Sequence, residues 1–291
     1  MYRNKSLACV VLNYNDSDQT SEFVKKISSI DCLDAIIVVD NNSTDDSYSK
    51  LLSYDGGKIK VVKTQKNGGY GYGNNFGAKI AKFQVGADYT VISNPDVQFD
   101  EKLVISIIDA FIGDKSLAVV SSIQKNGYTG QELENCGWRI PTYWDYLSSS
   151  LIMINKLTSK QRYININKNE KIQYVECVPG AFLVVDSDKF FQAGGYDESI
   201  FLFCEESILG YRIHEIGYNT AILTNMYYNH FHSTSIKKSI PQELARHKLV
   251  LKSRKKYIEK YLNVSWIKRI LASIVFFCSV IEYKFLYMIK K

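Results

Sequence analysis

Three short β-branched runs, each ending in a polar cluster, constrain this 291-residue chain more than any other feature. Leu7 to Leu12 runs into Asn13-Tyr14-Asn15, Ala35 to Val39 into Asp40-Asn41-Asn42-Ser43, and Tyr89 to Ile92 into Ser93-Asn94-Pro95-Asp96. Buried parallel strands have this form, because helices cover both faces and the loops at the carboxyl ends carry the polar groups. Cap signals predict crossover helices between them, from about Ser17 to Ile30 and from about Asn74 to Phe83. The β-α-β-α-β order implies an α/β fold with an open, mostly parallel sheet flanked by helices. Ligand chemistry in such sheets gathers at the strand carboxyl ends, so the three clusters are expected to converge on one site.

Further along, residues 178–185 read as a turn and a strand, 188–193 as a short helix, and 207–216 as a helix closed by Gly217. Residues 125–175, rich in Tyr, Trp, Asn and Ser, show no strong period and are predicted to be irregular. With 46% hydrophobic and 23% charged residues, the composition excludes a disordered, collagenous or stalk-like chain. The six cysteines form no C-x-x-C pair and mostly sit in apolar runs, which predicts reduced thiols in a cytosolic compartment. The Leu7 to Leu12 run is too short for a secretory h-region, and export is not expected.

Charge is unevenly spread. Residues 246–291 hold 12 of the 36 basic residues and two of the 30 acidic ones, so this tail carries +10 and the rest of the chain −4. A mildly acidic body with one basic, apolar-interleaved tail points to an anionic membrane surface and away from nucleic acid. For a span from Ile270 to Ile289, two central charges cost about 5 to 7 kcal/mol and the apolar side chains return about 3 to 7. The tail is therefore expected to lie in the interface, with a core-packing helix or a dimer contact as the alternatives. The division is a domain over 1–240 and a basic amphipathic helical tail over 241–291.

Several general motifs fail. The stretch Gly68-Gly69-Tyr70-Gly71-Tyr72-Gly73 fits neither the dinucleotide nor the P-loop fingerprint, His214-Glu215 lacks the second zincin histidine, and no G-x-S-x-G elbow occurs. What remains comes in a fixed order: Asp40-Asn41-Asn42-Ser43, Asn67 to Asn75, Asn94-Pro95-Asp96, Pro179-Gly180-Ala181-Phe182, Gly194-Gly195-Tyr196-Asp197-Glu198 and Phe203-Cys204-Glu205-Glu206. Over roughly residues 5 to 235 this order resembles the inverting family-two glycosyltransferases of GT-A fold, in particular their rhamnosyltransferase-like branch, which builds bacterial surface polysaccharides.

The resemblance implies a role for each motif. Asp40 would meet the uracil or thymine edge of the donor, with Asn42 and Ser43 lining the same pocket; an Asx turn or helix cap is the competing explanation. Asn13 and Asn15, ending the first run, are assigned to the donor site with them. Asn67, Gly68, Gly73 and Asn74 would approach the diphosphate or base, unless the glycines only make a turn. Asn94 and Asp96 stand where the family carries its metal-binding D-x-D, which implies Mg²⁺ or Mn²⁺ held with the diphosphate, although the first carboxylate is missing and the segment could be a capped turn. Glu205-Glu206 matches the family's acidic pair, with Glu206 as general base; elsewhere such a pair often only stabilises a helix start. His230 or His232 would complete the metal site.

The implied activity is metal-dependent inverting transfer of rhamnose or a hexose from a dTDP- or UDP-sugar to a lipid-linked oligosaccharide, in capsule or O-antigen synthesis. The enzyme would be cytoplasmic and peripheral on the inner face of the plasma membrane. The rivals are a sugar nucleotidyltransferase, disfavoured by Asn13-Tyr14-Asn15 where a triphosphate loop should stand, and a non-catalytic partner of a polysaccharide assembly complex.

Overall fold

A computed structural model of the chain describes residues 1–158, 162–231 and 242–289. The first half alternates β1 (Leu7–Asn13), α1 (Ser17–Ile27), β2 (Ala35–Asp40), α2 (Ser47–Leu52), β3 (Ile59–Lys63), α3 (Tyr70–Ile80) and β4 (Tyr89–Ser93). Then come β5 (Val97–Gln98), α4 (Glu101–Gly113), β6 (Leu117–Asn126), α5 (Tyr143–Ser150), α6 (Ile152–Thr158), β7 (Ile172–Val175), β8 (Phe182–Asp186), α7 (Ser187–Gln192), α8 (Glu205–Glu215) and β9 (Asn219–His230). Two longer helices, Glu243–Lys260 and Trp266–Ile289, follow.

The expected strands form for the expected reason. All six residues of β2 are buried, and helices cover the sheet on both sides. On one side α1 presents Thr20, Phe23, Val24 and Ile27, and α4 presents Leu103, Val104, Ile107, Ile108 and Phe111, at helical spacing. Asp100 starts α4 by accepting the Leu103 amide at 2.9 Å. On the other side α3 lies on β1 and β2 through Gly77 and Ile80.

Two expectations need correction. The sheet is mixed, not mostly parallel: in the order β3-β2-β1-β4-β8-β6-β9-β5, β8 runs antiparallel to both β4 and β6, and β9 is antiparallel to β5 and β7. An antiparallel strand presents its start, and not its end, at the carboxyl edge of its neighbours. That is how the loop ahead of β8 reaches the edge where β1, β2 and β4 finish. Residues 125–175 are also not irregular throughout, since α5, α6 and β7 lie there. The buried face of α5 is Tyr143, Tyr146, Leu147, Ser149 and Ser150, a stripe of Tyr and Ser that an apolar-period search passes over. Thr142 and Asp145 close it with a reciprocal capping box.

A separate apolar cluster joins the C-terminal helices to the body: Tyr143, Tyr146 and Leu147 of α5, Ile200, Ile208 of α8, Leu251, Tyr257 and Ile258, and Ala272 and Phe276. No described helix is long and apolar enough to cross a membrane.

Candidate active site

At the ends of β1 and β2 the expected donor residues form one hydrogen-bonded block. Asn13 and Asp40 are neighbours in the β1–β2 register. The Asn13 amide donates to Asp40 Oδ2 at 2.9 Å and to Ser43 Oγ at 3.2 Å, while the Ser43 backbone N–H donates to Asp40 Oδ1 at 2.9 Å. Thr20 reaches back from α1 to Asn13 Oδ1. Asn15 ties the two loops together: its backbone N–H donates to Ser43 Oγ at 3.0 Å and its side chain pairs with Thr44. Asp40 is completely buried at the back of this block; Asn15 and Asn42, both at positive φ, are partly exposed, and Thr44 is exposed.

Asn67 and the glycine run attach to the same block. The Asn41 amide donates to Asn67 Oδ1 at 3.1 Å and to Gly69 O at 3.0 Å, and Asn67 Oδ1 also accepts the Gly69 N–H. Gly68 packs against the Tyr72 ring, and a Cβ at Gly73 would collide with Leu12, so Gly73 serves the seating of α3 on β1. Asn74 turns inward, its amide on Tyr70 O and its Oδ1 buried without a partner among the described residues.

The third cluster meets β9. Val97 of β5 pairs with His230, and the Phe231 N–H donates to Asp96 O at 2.9 Å. This register sets His230 Nε2 3.2 Å from Asp96 Oδ2, both side chains largely buried. Behind the ring, Nδ1 meets the Gln124 amide at 3.0 Å, and Gln124 Oε1 accepts the Tyr228 hydroxyl at 2.8 Å. A carboxylate oxygen and an imidazole nitrogen side by side, with the ring steadied from behind, suit a divalent cation that takes its remaining ligands from phosphate and water. Among the described residues no third acidic, His or Cys ligand joins them. His232, the alternative ligand, lies outside the described residues.

The acidic pair arrives on a constrained loop. Phe203 and Cys204 both adopt φ +71°, a left-handed conformation that non-glycine residues rarely take, and α8 starts immediately after them. Glu205 turns inward, only 3% exposed, with Oε1 lacking a partner among the described residues. Glu206 is half-buried and accepts the Gly180 N–H at 3.3 Å. Burial, and then the charge of Glu206, push Glu205 well above the usual carboxylate range. Burial also raises Glu206, against hydrogen bonds from its own amide and that of Gly180.

Two close approaches lock these parts to one another. Gly69, at φ +93°, passes so near Phe201 that a Cβ would sit 2.0 Å from its carbonyl oxygen, and the next residue, Tyr70, donates its N–H to that oxygen. Gly180 passes less tightly by Glu206, where a Cβ would be 2.8 Å from Oε1. The Tyr70 hydroxyl donates to Gly180 O at 2.6 Å, and the Asn94 N–H donates to Ala181 O at 2.9 Å. The glycine run, the Asn94–Asp96 turn and Glu206 are thus all bonded to the segments at 179–181 and 201.

Sequence reasoning missed Asn41, Tyr70, Gln124 and Tyr228. Tyr228 carried a usable signal, since on a strand it shares a face with His230. Gln124 carried none, being one of several polar residues in the second half of β6, with Ser121, Ser122, Lys125 and Asn126.

Known proteins resemble this chain in sequence and in fold. The low-salt glycan biosynthesis hexosyltransferase Agl10 of Haloferax volcanii is 21% identical over 208 residues, which cover 71% of this chain and 61% of the relative. The mannosyltransferase PcManGT of Pyrobaculum calidifontis, solved with GDP-Man and Mn²⁺, superposes with a TM-score of 0.60 at 13% identity over 90% of this chain and 65% of its own. GalNAc-T7 with UDP, GalNAc and Mn²⁺ gives 0.54 at 13% identity, covering 90% of this chain and 57% of its own. TarS residues 1–349 of S. aureus gives 0.53 at 14% identity, covering 94% and 81%. At such identities the likeness establishes a GT-A-like fold, and the chain spans about three fifths of its curated relative. The sequence profile of glycosyl transferase family 2 matches residues 8–184, and on that match the chain belongs to this family.

Proposed function

We propose that the chain transfers a sugar, with inversion, from a nucleoside-diphosphate donor to a hydroxyl of a lipid-linked oligosaccharide. The observation that carries this reading is the attachment of the Asn94–Asp96 turn and of Glu206 to one short segment, Gly180-Ala181. This attachment supports a leaving-group side and a base side at one sheet edge, with the Asp40 block for the nucleoside. Asn15 and Asn42 would contact the base and ribose, with Asp40 and Asn13 holding their loops.

Asp96 and His230 would hold Mg²⁺ or Mn²⁺ against the diphosphate, where the ion offsets the charge that collects on the leaving group. The PcManGT and GalNAc-T7 structures, each with Mn²⁺, support this choice. Glu206 accepts the proton of the acceptor hydroxyl as the new C1–O bond forms; the bond from C1 to the phosphate oxygen breaks on the opposite face, and its electron pair leaves with the nucleoside diphosphate. Its raised pKa makes Glu206 a better proton acceptor than an exposed carboxylate. Burial favours the protonated form of Glu205, which lessens the negative charge beside Glu206.

By its resemblance to the rhamnosyltransferase-like branch, a dTDP-rhamnose donor is favoured over a UDP-hexose, and the product would be a bacterial surface polysaccharide such as capsule or O-antigen. The test is Glu206→Gln. Transfer should fall about a thousandfold while donor affinity, read by thermal shift or calorimetry, stays within about threefold. A Glu206→Gln protein that transfers at more than a tenth of the wild-type rate would remove the base and the reading with it.

A further inference from the structure

The helix Trp266–Ile289 has one face fixed against the body. Ala272, Phe276 and Ser279 are buried, and the Tyr143 hydroxyl donates to Lys268 O at 2.8 Å. His247 meets Ser279 Oγ at 2.9 Å, and the Glu282 carboxylate caps α6 by accepting the N–H groups of Ile152 and Met153. These contacts set the helix's rotation, so what it turns outward is part of the fold. That outward face is apolar: Ile267, Ile270, Ile274, Phe277, Ile281 and Phe285, in steps of three and four, are each between 51% and 66% exposed. Beside it, Met153 and Leu157 of α6 are 68% and 84% exposed. Soluble monomers rarely leave a contiguous apolar stripe of this length bare.

We propose that this face docks on an anionic lipid bilayer and holds the base loop against that surface. Charge decides between possible occupants. Exposed Lys268, Arg269 and Lys284 flank the stripe, and the segment 246–291 carries +10. A second copy of the chain would bring two such segments together, whereas an anionic surface neutralises them. A helix with one apolar face, flanking basic residues and insufficient length of apolar sequence to cross suits the interfacial plane.

The docking helix is tied to the reaction side of the molecule. Ser253 Oγ donates to Leu202 O at 2.7 Å, and Lys260 and Tyr261 both donate to Asp197, so the loop at 197–204 hangs from the end of helix Glu243–Lys260. Ile200 of this loop shares one apolar cluster with Ala272 and Phe276 of the docking helix. Docking would therefore present Glu206 to an acceptor held in the same membrane. This last step rests on the proposed transfer reaction; the docking itself does not.

The test uses the full chain with vesicles of phosphatidylglycerol and phosphatidylcholine, and with phosphatidylcholine alone. The wild type should sediment with the anionic vesicles and bind the neutral ones at least tenfold more weakly. A combined Ile270→Ser, Ile274→Ser, Phe277→Ser variant changes only exposed side chains, and circular dichroism confirms its fold. It should lose about a hundredfold in partition, and Lys268→Glu with Arg269→Glu about tenfold. A fluorophore on the exposed thiol of Cys278 should shift to the blue on binding. Failure of the wild type to bind anionic vesicles overturns the proposal, as does equal binding by the triple variant. A dimer in sedimentation that the triple variant dissolves would give the face to a second copy and overturn it as well. Donor hydrolysis without vesicles should be the same in wild type and triple variant, which keeps docking and transfer separately testable.

Discussion

Asp40 and Glu206 stand at the same edge of the sheet, yet the chain treats them in opposite ways. Both oxygens of Asp40 accept hydrogen bonds near 2.9 Å from Asn13 and Ser43, and Thr20, Asn15 and Thr44 brace those partners in turn. Glu206 accepts the Gly180 N–H at a long 3.3 Å, and its neighbour Glu205 leaves an oxygen buried without a partner among the described residues. The first arrangement favours a single shape, which recognition of a flat nucleoside needs. The second keeps carboxyl groups poorly solvated and lifts their pKa values, as proton transfer needs. The Asp40 block, the proposed nucleoside side, is closed by its own hydrogen bonds, whereas the Glu205–Glu206 pair, the proposed acceptor side, is short of partners among the described residues.

The largest effect expected after Glu206→Gln falls on the leaving-group side. Asp96→Asn keeps the side-chain volume and removes the charge. Transfer should drop about a hundredfold and the Mn²⁺ midpoint should rise about tenfold, read from initial rates across a Mn²⁺ titration. A titration curve that overlays the wild type would detach Asp96 from any metal. His230→Ala should behave alike but more mildly.

Next comes a test of whether Asp40 holds or touches. Asp40→Ala strands the Asn13 amide and the Ser43 N–H in a buried site, which should cost about 2–3 kcal/mol of stability and weaken donor binding together. If urea unfolding is unchanged while donor affinity falls, Asp40 meets the donor directly and the saturated-block picture fails.

This ambiguity shows how far sequence carries. The β-branched runs and the polar residues behind them located β1, β2, β4 and the edge where the site lies, because burial on both faces leaves a local mark. β3, with lysines at positions 60 and 63, escaped because an edge strand needs no continuous apolar run. Whether Asp40 contacts a ligand or makes an Asx-type turn could not be read, since the same Asp-Asn-Asn-Ser string serves both; the bonds to Ser43 and Asn13 bring out the turn. The inward Glu205 and partly buried Glu206 are adjacent in sequence, and the strained entry at Phe203 and Cys204 orients them. Gln124, 106 residues from His230, is brought to it by β6–β9 pairing with a register shift after Ser122, which no local pattern encodes.

A smaller effect is expected where the base loop hangs from the helices. Burial alone would raise the Asp197 carboxyl, but hydrogen bonds from Lys260 and Tyr261 outweigh it and hold the group below its usual range. Asp197→Asn should cost about 1–2 kcal/mol, a modest loss because Lys260 is half exposed and solvent screens the pair. A depressed carboxylate stabilises the fold above its ordinary value of 3.8 and loses that contribution as pH falls toward its folded value. The stability gap between wild type and variant should therefore be full at neutral pH and close in strong acid. A gap independent of pH would assign the loss to packing alone.

The smallest expected effect tests the under-bonded pair most directly. Glu205 and Glu206 would ionise near their ordinary 4.5 in an unfolded chain, but in the folded protein they keep their protons to higher pH. Between those limits unfolding releases protons, so this pair's contribution to stability is complete in acid and is lost as pH rises. Glu205→Gln imitates the protonated side chain at every pH. It should match the wild type near pH 4 and gain about 1 kcal/mol over it by pH 8, while transfer at pH 7 stays within about threefold. Because the proposed base Glu206 must be ionised to act, the acidic limb of the wild-type rate profile should lie above 4.5. If Glu205→Gln is destabilising at pH 8, the buried carboxyl is charged and paired, and the contrast with Asp40 disappears.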